Sequence, residues 1–112
     1  MYKNPDELFA PIPGLAILTG DAIGADFCHD ECPGVTGTPD AVVEIASIEQ
    51  AAAVIKLCAE AGVPVTVRGA GTGQAGGSVP VEGGVVLSLK GMDQILEFDE
   101  AARTLRVQPG VL

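Results

Sequence analysis

The sequence predicts an α/β (α+β) fold, a small mixed sheet with one main helix, preceded by an irregular N-terminal arm. A strand, a capped helix and a second strand follow one another between residues 39 and 68. A nearly continuous apolar run covers residues 84–89, and two alternating segments follow it. Residues 1–38 carry Pro or Gly too often for a long helix or strand. At 112 residues, the chain amounts to one domain or part of one.

The charge balance excludes two classes of partner. Six Lys and Arg stand against 15 Asp and Glu, which gives a formal net charge of -9. Nucleic acid and anionic membrane surfaces both require a positive patch, so we expect neither as a partner. No apolar stretch approaches the roughly 20 residues of a transmembrane helix. The three cysteines are too few for a secreted disulfide scaffold, so we expect a cytoplasmic protein without a transmembrane segment.

The N-terminal arm is expected to contribute little regular structure. A short helix is compatible with residues 6–10 or 22–26. The few apolar side chains of the arm are expected to dock on another surface: Leu8, Phe9, Leu15, Ile17, Leu18 and Phe27.

The main helix begins at a capping box that follows a short β-branched strand at residues 41–45. The Ser47 hydroxyl is expected to accept the Gln50 backbone N–H, while the Gln50 side chain returns to the backbone of Ser47. Gly62 and Pro64 predict the end of the helix. Apolar residues at helical spacing predict its buried face: Ile48, Ala51, Ala52, Ile55, Cys58 and Ala59.

Four further segments are predicted to be strands. Residues 63–68 follow the helix, and this order favours a parallel, right-handed β-α-β unit. Residues 84–89 are apolar enough for a buried strand. Residues 95–99 and 104–108 alternate, which predicts a hairpin with one solvated face. Its apolar face collects Leu96, Phe98, Leu105 and Val107.

A glycine-rich loop extends from Arg68 to Ser78, directly after a predicted strand. Five glycines among residues 69–77 expose backbone N–H groups and remove side chains that would keep a ligand at a distance. Such a loop suits a phosphate or pyrophosphate. Because the net charge of -9 repels anions, binding must come from local amide dipoles, with Arg68 as the nearby formal cation. A flexible surface loop is the alternative that composition leaves open.

The glycine-rich loop can be compared with two known phosphate-binding motifs. A Walker A loop requires a Lys, and none occurs between Lys56 and Lys90, so a nucleoside-triphosphatase loop is excluded. Gly71, Gly73 and Gly76 match the letters of the dinucleotide fingerprint, but that motif must open a helix, which the following Gly and Pro residues disfavour. A nicotinamide dinucleotide-binding domain remains the lesser alternative.

The chain resembles the FAD-linked oxidases of the vanillyl-alcohol oxidase (PCMH-type) superfamily, and within it the glycolate oxidase D subunit and D-lactate dehydrogenase branch. The resemblance covers about residues 39–112. It is carried by the segments PDAVVEIASIEQ, GVPVTVRGAGTGQAGGSVP, GGVVLSLKGMDQILEFD and VQPGVL in that order. The order and the spacing of these segments both match the family, and this match is more specific than the glycine-rich loop alone.

The resemblance implies a cofactor and a set of residues that hold it. In this family the loop cradles the FAD pyrophosphate through main-chain amides, and a 2-hydroxy acid is oxidised by hydride transfer to the flavin. The residues that it implies as cofactor-binding are Arg68, Gly69, Ala70, Gly71, Thr72, Gly73, Gln74, Gly76, Gly77, Ser78, Pro109 and Gly110. It implies no catalytic residue and no metal ligand in this stretch.

Two departures from the family pattern bear on the cofactor. Covalent members carry a His in the corresponding loop, whereas this loop has Thr72 and no His, so FAD is expected to be noncovalent. Gln74 and Ala75 stand where Leu and Ser are common in the glycolate oxidase branch, which removes one hydroxyl.

The segment Cys28-His29-Asp30-Glu31-Cys32 gathers five possible metal ligands. A closed zinc or iron–sulfur site needs further N or S ligands, and only Cys58 remains, on the predicted buried helix face. An acidic, solvated loop is the simpler interpretation. Cys58 is expected to be a core residue without chemistry, and His29 lies far in sequence from any base or nucleophile.

These observations lead to a function for a longer protein. We expect an irregular arm at 1–38 and the first lobe of a PCMH-type FAD-binding domain at 39–112. The whole enzyme would oxidise a 2-hydroxy acid of the glycolate or D-lactate type, with partner subunits or an electron acceptor besides the substrate. The alternative is a truncated, non-catalytic module that binds no cofactor by itself, and the 112-residue chain alone is expected to be inactive.

Overall fold

The computed structural model describes residues 4–112. Two 3₁₀ turns, Gly20–Ala22 and Ala25–Cys28, lie between the first two strands. The helices and strands of this part of the chain are α1 (Pro5–Phe9), β1 (Ala16–Thr19), β2 (Ala41–Glu44), α2 (Ile48–Ala61), β3 (Val65–Arg68), β4 (Val85–Ser88), β5 (Ile95–Asp99) and β6 (Thr104–Val107).

Four strands form one mixed sheet in the order β1-β2-β4-β3. Strands β2 and β3 both pair in parallel with β4, while β1 runs antiparallel to β2. The predicted mixed α/β fold is therefore confirmed, with β4 inserted between the two strands that flank α2. All four residues of β4 are buried, because strands cover both of its edges and the protein covers both of its faces.

Both ends of α2 are capped as the sequence predicts, except for one hydrogen bond. The Gln50 N–H donates to the Ser47 hydroxyl at 3.2 Å, and Gly62 ends the helix in the left-handed region at φ 69°. The Gln50 side chain, however, accepts from the Ala46 N–H at 2.9 Å, so the predicted return to Ser47 is wrong. The amide side chain reaches one residue further back than the capping-box template assumes.

The buried face of α2 is also rotated from the predicted stripe. Cys58 is fully buried as expected, but its core neighbour is Val54, whereas Ile48 and Ile55 are 72% and 47% exposed. The helix carries apolar residues on more than one face, so spacing alone could not select the face that packs. Ile48 and Ile55 instead line an apolar groove with Val67 of β3.

The N-terminal arm is more regular than the sequence predicts. Its strand β1 joins the main sheet beside β2, and α1 begins with Asn4 accepting the Glu7 N–H at 2.8 Å. Phe9 of α1 is 1% exposed and belongs to the same core as Val43 and Val54. Leu8, Leu15 and Ile17 pack against this core as expected, whereas Phe27 lies against Arg68. Met1, Tyr2 and Lys3 lie outside the described residues.

The hairpin of β5 and β6 forms separately from the main sheet. It pairs antiparallel with Phe98 opposite Leu105, as the alternation predicts, but an irregularity separates Ile95 from Glu97. The expected buried face is wrong for this chain, because Phe98 and Leu105 are 72% and 54% exposed. Within residues 4–112, the four apolar side chains predicted to share this face stay 38–72% exposed.

Of the helices described within residues 4–112, none combines the length and apolar character that a membrane crossing requires.

Candidate cofactor cleft

A cleft of about 810 Å³ opens at the carboxyl ends of the three parallel strands. Glu44, Ser88 and Arg68 are the last residues of β2, β4 and β3, and the strand register places them side by side. All three line the cleft. In open α/β sheets this edge is where ligands bind, and the volume lies in the roughly 300–1,000 Å³ range of small-molecule sites.

Charged side chains of both signs surround the cleft. Lys90 lines it together with Arg68, so the expectation that Arg68 is the only cation near the glycine loop is wrong. Three acidic residues, Asp26, Glu44 and Asp93, also reach its wall. The arrangement offers local positive charge to an anion while the surrounding acidic residues limit how far that attraction extends.

Arg68 is held firmly where β3 meets the loop. The residue is 6% exposed, and its Nη1 donates to the His29 carbonyl at 2.8 Å. Its guanidinium lies 5.5 Å from the centroid of the Phe27 ring, within the range of a cation–π contact. The guanidinium group of Arg68 carries several N–H donors in a fork, and this hydrogen bond uses only one of them. The other N–H groups remain for a ligand in the cleft.

The glycine loop presents a row of backbone donors. Among the described residues, no carbonyl or side chain accepts from the backbone N–H groups of residues 70–78. Its carbonyls are partly engaged: Gly73 accepts from the Glu31 N–H at 3.0 Å and Gly76 from the Val79 N–H at 3.2 Å. A loop whose carbonyls are held and whose amides remain open is suited to surround an anion.

Two glycines of the loop are required by its geometry. Gly71 adopts φ 72°, and a Cβ there would collide with the Arg68 guanidinium. Gly76 adopts φ 77° and lies against Val35, where a Cβ would stand 3.3 Å from the valine. The loop therefore passes close over the arginine only because residue 71 lacks a side chain.

Residues 26–37, here called the backing segment, pack behind the loop. Phe27 and His29 contact Arg68, Glu31 donates to Gly73, and Val35 touches Gly76. Sequence reasoning assigned no part of the site to this segment. Its composition gives no signal, since its contacts with the loop depend on tertiary packing alone.

The structure brings five of the twelve predicted site residues to the cleft wall: Arg68, Gly69, Ala70, Thr72 and Gly110. Gly71 lies against the Arg68 guanidinium and Gly73 accepts from the backing segment, and neither is part of the cleft wall. Gln74 and Gly77 are exposed and Ser78 is half-buried, whereas Gly76 contacts Val35. Pro109 lines the apolar groove instead of the cleft.

Gly110 connects the end of the chain to the turn after β4. Its N–H donates to the Met92 carbonyl at 2.8 Å, and a Cβ at this position would collide with the Leu89 carbonyl. Met92 itself is 5% exposed and lies in the core. Residue 110 must therefore be glycine for the end of the chain to pack against the turn after β4 and line the cleft.

The sequence analysis missed eight residues of the cleft wall, and five of these are Asp26, Phe27, Asp93, Val111 and Leu112. The other three are Glu44, Ser88 and Lys90. Each follows or ends a strand that the sequence does predict. The sequence signal that could have indicated these three residues is that the carboxyl ends of parallel strands lie at the same edge of a sheet. The strand order needed to apply it was not visible in the sequence.

The residues fit the phosphate portion of a dinucleotide. The open amides of the loop, the Arg68 fork and the Lys90 ammonium are the donors that phosphate oxygens prefer. The absence of a side chain at Gly71 leaves the loop close to Arg68. A cofactor with a pyrophosphate would thus find complementary groups at this edge of the sheet.

The candidate metal-binding segment, Cys28 to Cys32, packs against Arg68 and the glycine loop. Within residues 4–112, no group of three potential ligands is placed to hold a metal ion. Asp30 is 7% exposed, so the expectation of a wholly solvated loop is wrong at this residue. Cys28, Cys32 and Cys58 are free thiols, and burial raises the pKa of the Cys58 thiol.

Comparison with known proteins adds independent findings. A family model described as "FAD binding domain" matches residues 39–112. The D-lactate dehydrogenase of Anaerostipes hadrus is 44% identical over 108 residues, which are 95% of this chain and 22% of that protein. The glycolate oxidase subunit GlcD of Bacillus subtilis is 42% identical over 86 residues, 77% of this chain and 18% of that protein. The chain spans about a fifth of the length of these relatives.

Solved structures show the same fold. The chain superposes on p-cresol methylhydroxylase with substrate bound at a TM-score of 0.71 and 28% identity, over 85% of this chain and 19% of that one. For an alkyldihydroxyacetonephosphate synthase the TM-score is 0.76 at 19% identity, over 97% and 25% of the two chains. At that identity the likeness shows the fold alone.

Proposed function

The chain belongs to the PCMH-type FAD-binding domains, an oxidoreductase family with FAD as cofactor, and on that premise we propose that its cleft holds FAD noncovalently within a 2-hydroxy-acid-oxidising enzyme. Residues 39–112 are the first lobe of that domain in this proposal, and residues 1–38 are an arm that completes the sheet. A cytoplasmic location is part of the proposal and is supported by the free thiols.

The observation that carries the proposal is the row of open backbone amides beside Arg68. Residues 70–78 direct no N–H to an acceptor within the described chain, and they follow the carboxyl end of β3. A pyrophosphate carries negative charge that such amides stabilise without any side chain. The loop therefore binds and orients the phosphates, and Gly71 lets it lie close enough to Arg68 for both to contact one group.

The flanking side chains refine this role. Arg68 offers the rest of its donor fork, and Lys90 supplies a second positive charge from the turn after β4. Glu44 and Asp93 stand on the same wall, where carboxylates suit hydroxyl groups of a ligand better than phosphate oxygens. The cleft thus offers both donors for phosphate oxygens and acceptors for sugar-like hydroxyls.

The substrate class is inferred from the names of the relatives. Lactate and glycolate are both 2-hydroxy acids, and the flavin, when bound, supplies the oxidising centre that accepts a hydride from such a substrate. The residues described here bind and orient the cofactor. No catalytic role is proposed for any of them, and substrate and electron acceptor are expected to bind elsewhere in a longer protein.

Noncovalent attachment is supported by the chemistry of the loop. It contains no His or Cys, and its two hydroxyl side chains, Thr72 and Ser78, have no base hydrogen-bonded to them among the described residues. His29, the sole histidine, lies on the backing segment and does not line the cleft. Acid precipitation of the holoprotein should leave all yellow flavin in the supernatant, whereas flavin fluorescence that stays with the denatured polypeptide would refute this attachment.

The test of the proposed function is a titration of the full-length protein with FAD and, in parallel, NADH. We expect one FAD per chain and no saturable NADH binding. Arg68→Gln should weaken FAD binding by roughly tenfold or more, because a charge-assisted hydrogen bond is worth roughly 1.5–3 kcal/mol. Arg106→Gln is the matched control, since Arg106 lies exposed on β6 away from the cleft.

Two results would overturn the proposal. Full-length protein that binds no FAD would favour a module without cofactor, and saturable NADH binding would favour the nicotinamide alternative. The isolated 112-residue chain is a separate case. We expect its FAD affinity to be poor, because it spans about a fifth of its relatives, and submicromolar binding would show that this lobe is sufficient.

A further inference from the structure

Asp30 stands out as a buried carboxylate that no part of the proposed function uses. It is 7% exposed, and its Oδ2 has no hydrogen-bond partner among the described residues. A buried polar atom without a partner destabilises the fold, so such an atom calls for a specific explanation. Its place in the fold supplies one, because the carboxylate lies directly behind the glycine loop, where a Cβ on Gly73 would stand 3.9 Å from Oδ2.

The other carboxylate oxygen builds a tight turn. Oδ1 accepts the Cys32 backbone N–H at 2.8 Å, which fixes the chain from residue 30 to residue 32. Within that turn, the Glu31 N–H points at the loop and donates to the Gly73 carbonyl at 3.0 Å. The side chain of Asp30 therefore determines the direction of a donor that holds the loop.

This bond determines how the loop amides point. A trans peptide group is planar, so its carbonyl and the following N–H point in opposite directions. When the Gly73 carbonyl faces the backing segment, the Gln74 N–H must face away from it. The Arg68 bond to the His29 carbonyl, at 2.8 Å, fastens the same segment to the start of the loop.

We propose that Asp30 is a positioning residue for the cofactor loop: its carboxylate shapes the turn that holds the Gly73 carbonyl and so orients the amides that receive the pyrophosphate. The inference rests on the proposed function of the loop. It also extends the site to the backing segment, which lies outside the residues 39–112 that the family model matches.

Two substitutions of Asp30 distinguish the effect of the turn from the effect of the negative charge. Asp30→Ala removes the acceptor of the Cys32 N–H and frees the turn. Asp30→Asn keeps an equivalent Oδ1 acceptor while removing the negative charge, so it should preserve the turn. Asp21→Ala is the control, because Asp21 is exposed and lies in a neighbouring 3₁₀ turn.

The experiment measures amide hydrogen exchange at Glu31 and the FAD dissociation constant in the full-length protein. Asp30→Ala should accelerate Glu31 exchange and weaken FAD binding, each on the order of tenfold, the factor for one lost hydrogen bond. Asp30→Asn and Asp21→Ala should stay within about twofold of wild type for both quantities, since both retain the turn.

Two outcomes overturn the inference. Glu31 exchange that is unchanged in Asp30→Ala would show that the turn does not depend on the carboxylate. Loss of FAD affinity in Asp30→Asn with normal exchange would show that the charge acts and not the turn. If wild-type protein binds no FAD, the proposed function fails, and the exchange rates still decide whether Asp30 positions the loop.

Discussion

The main sheet and the hairpin of this chain differ in what covers them. Every residue of β4 is buried, and Phe9 packs beneath the sheet at 1% exposure. In the hairpin, Phe98 is 72% exposed although its side chain is the same as that of Phe9. The main sheet is thus stabilised by its own core, while the hairpin holds together mainly through its ladder and its turn.

This difference in burial indicates which part of the chain can support a binding site. The glycine loop leaves the main sheet at Arg68 and is fastened to the backing segment, so its geometry depends on the packed region. The strands of the hairpin do not line the cleft, which is reached only by residues on either side of them, Asp93 before β5 and Gly110 to Leu112 after β6. Substitutions in the two regions should therefore have very different consequences for folding.

The largest contrast is expected between two phenylalanines. Phe9→Ala should lower the free energy of unfolding by about 3–5 kcal/mol, since it removes a fully buried ring. Phe98→Ala should change it by less than about 0.5 kcal/mol, the usual range for an exposed position. Urea unfolding of both variants measures the difference, and equal losses would mean that the hairpin is packed in solution.

A smaller effect is expected at the start of α2. Ser47→Ala removes the acceptor of the Gln50 N–H and should cost about 1 kcal/mol, with FAD content unchanged at a temperature where the protein stays folded. Ser47→Asp should restore stability because Asp also caps a helix. Thermal unfolding followed by circular dichroism is the measurement, and an unstable Asp variant would contradict the capping role.

The buried thiol gives a pH-dependent contrast. Burial raises the pKa of Cys58 in the folded state, so the unfolded chain loses this proton first as the pH rises. Its contribution to stability is full below the unfolded pKa and declines in the alkaline range. Cys58→Ala should remove that part of the alkaline decline in urea midpoints, and an unaltered pH profile would argue against a buried thiol. In native protein, iodoacetamide should modify Cys28 and Cys32 before Cys58.

The smallest effect is expected at the ion pair of the hairpin. Arg106 Nε lies 3.7 Å from Glu97 Oε2, and both side chains are more than half exposed. Exposed pairs contribute roughly 0–1 kcal/mol and are screened by salt. Glu97→Gln should therefore shift the urea midpoint barely at all at high salt, and a loss comparable to that of Ser47→Ala would show that the pair is shielded from water.

Local patterns were enough to predict most of the fold. The β-branched run before α2, the Ser47 cap, the Gly62 stop and the alternation of the hairpin are all properties of neighbouring residues. Strand β1 was missed because residues 16–19 lie in a stretch punctuated by Pro and Gly, and only pairing with β2 makes them a strand. The position of β4 between β2 and β3 is likewise a matter of long-range pairing.

The candidate site divides in the same way. The glycine loop was found because its spacing and its place after a strand are visible along the chain. Lys90 and Ser88 were missed because only the register of three strands brings them to the cleft. Asp30 was misjudged because a buried carboxylate among acidic neighbours has the same sequence signature as a solvated one.

The most direct test of the central claim compares two glycines with nearly the same backbone. Gly71 and Gly14 have φ of 72° and 70°, so an alanine strains both positions equally. Only at Gly71 would the methyl group collide with Arg68, whereas at Gly14 nothing lies within 4 Å. The measurement is the ratio of flavin to protein absorbance in purified full-length variants, with circular dichroism as the check on folding. The account predicts that Gly71→Ala loses most of its flavin while folded and that Gly14→Ala keeps it. Normal flavin content in Gly71→Ala would contradict the assignment of the loop to the cofactor.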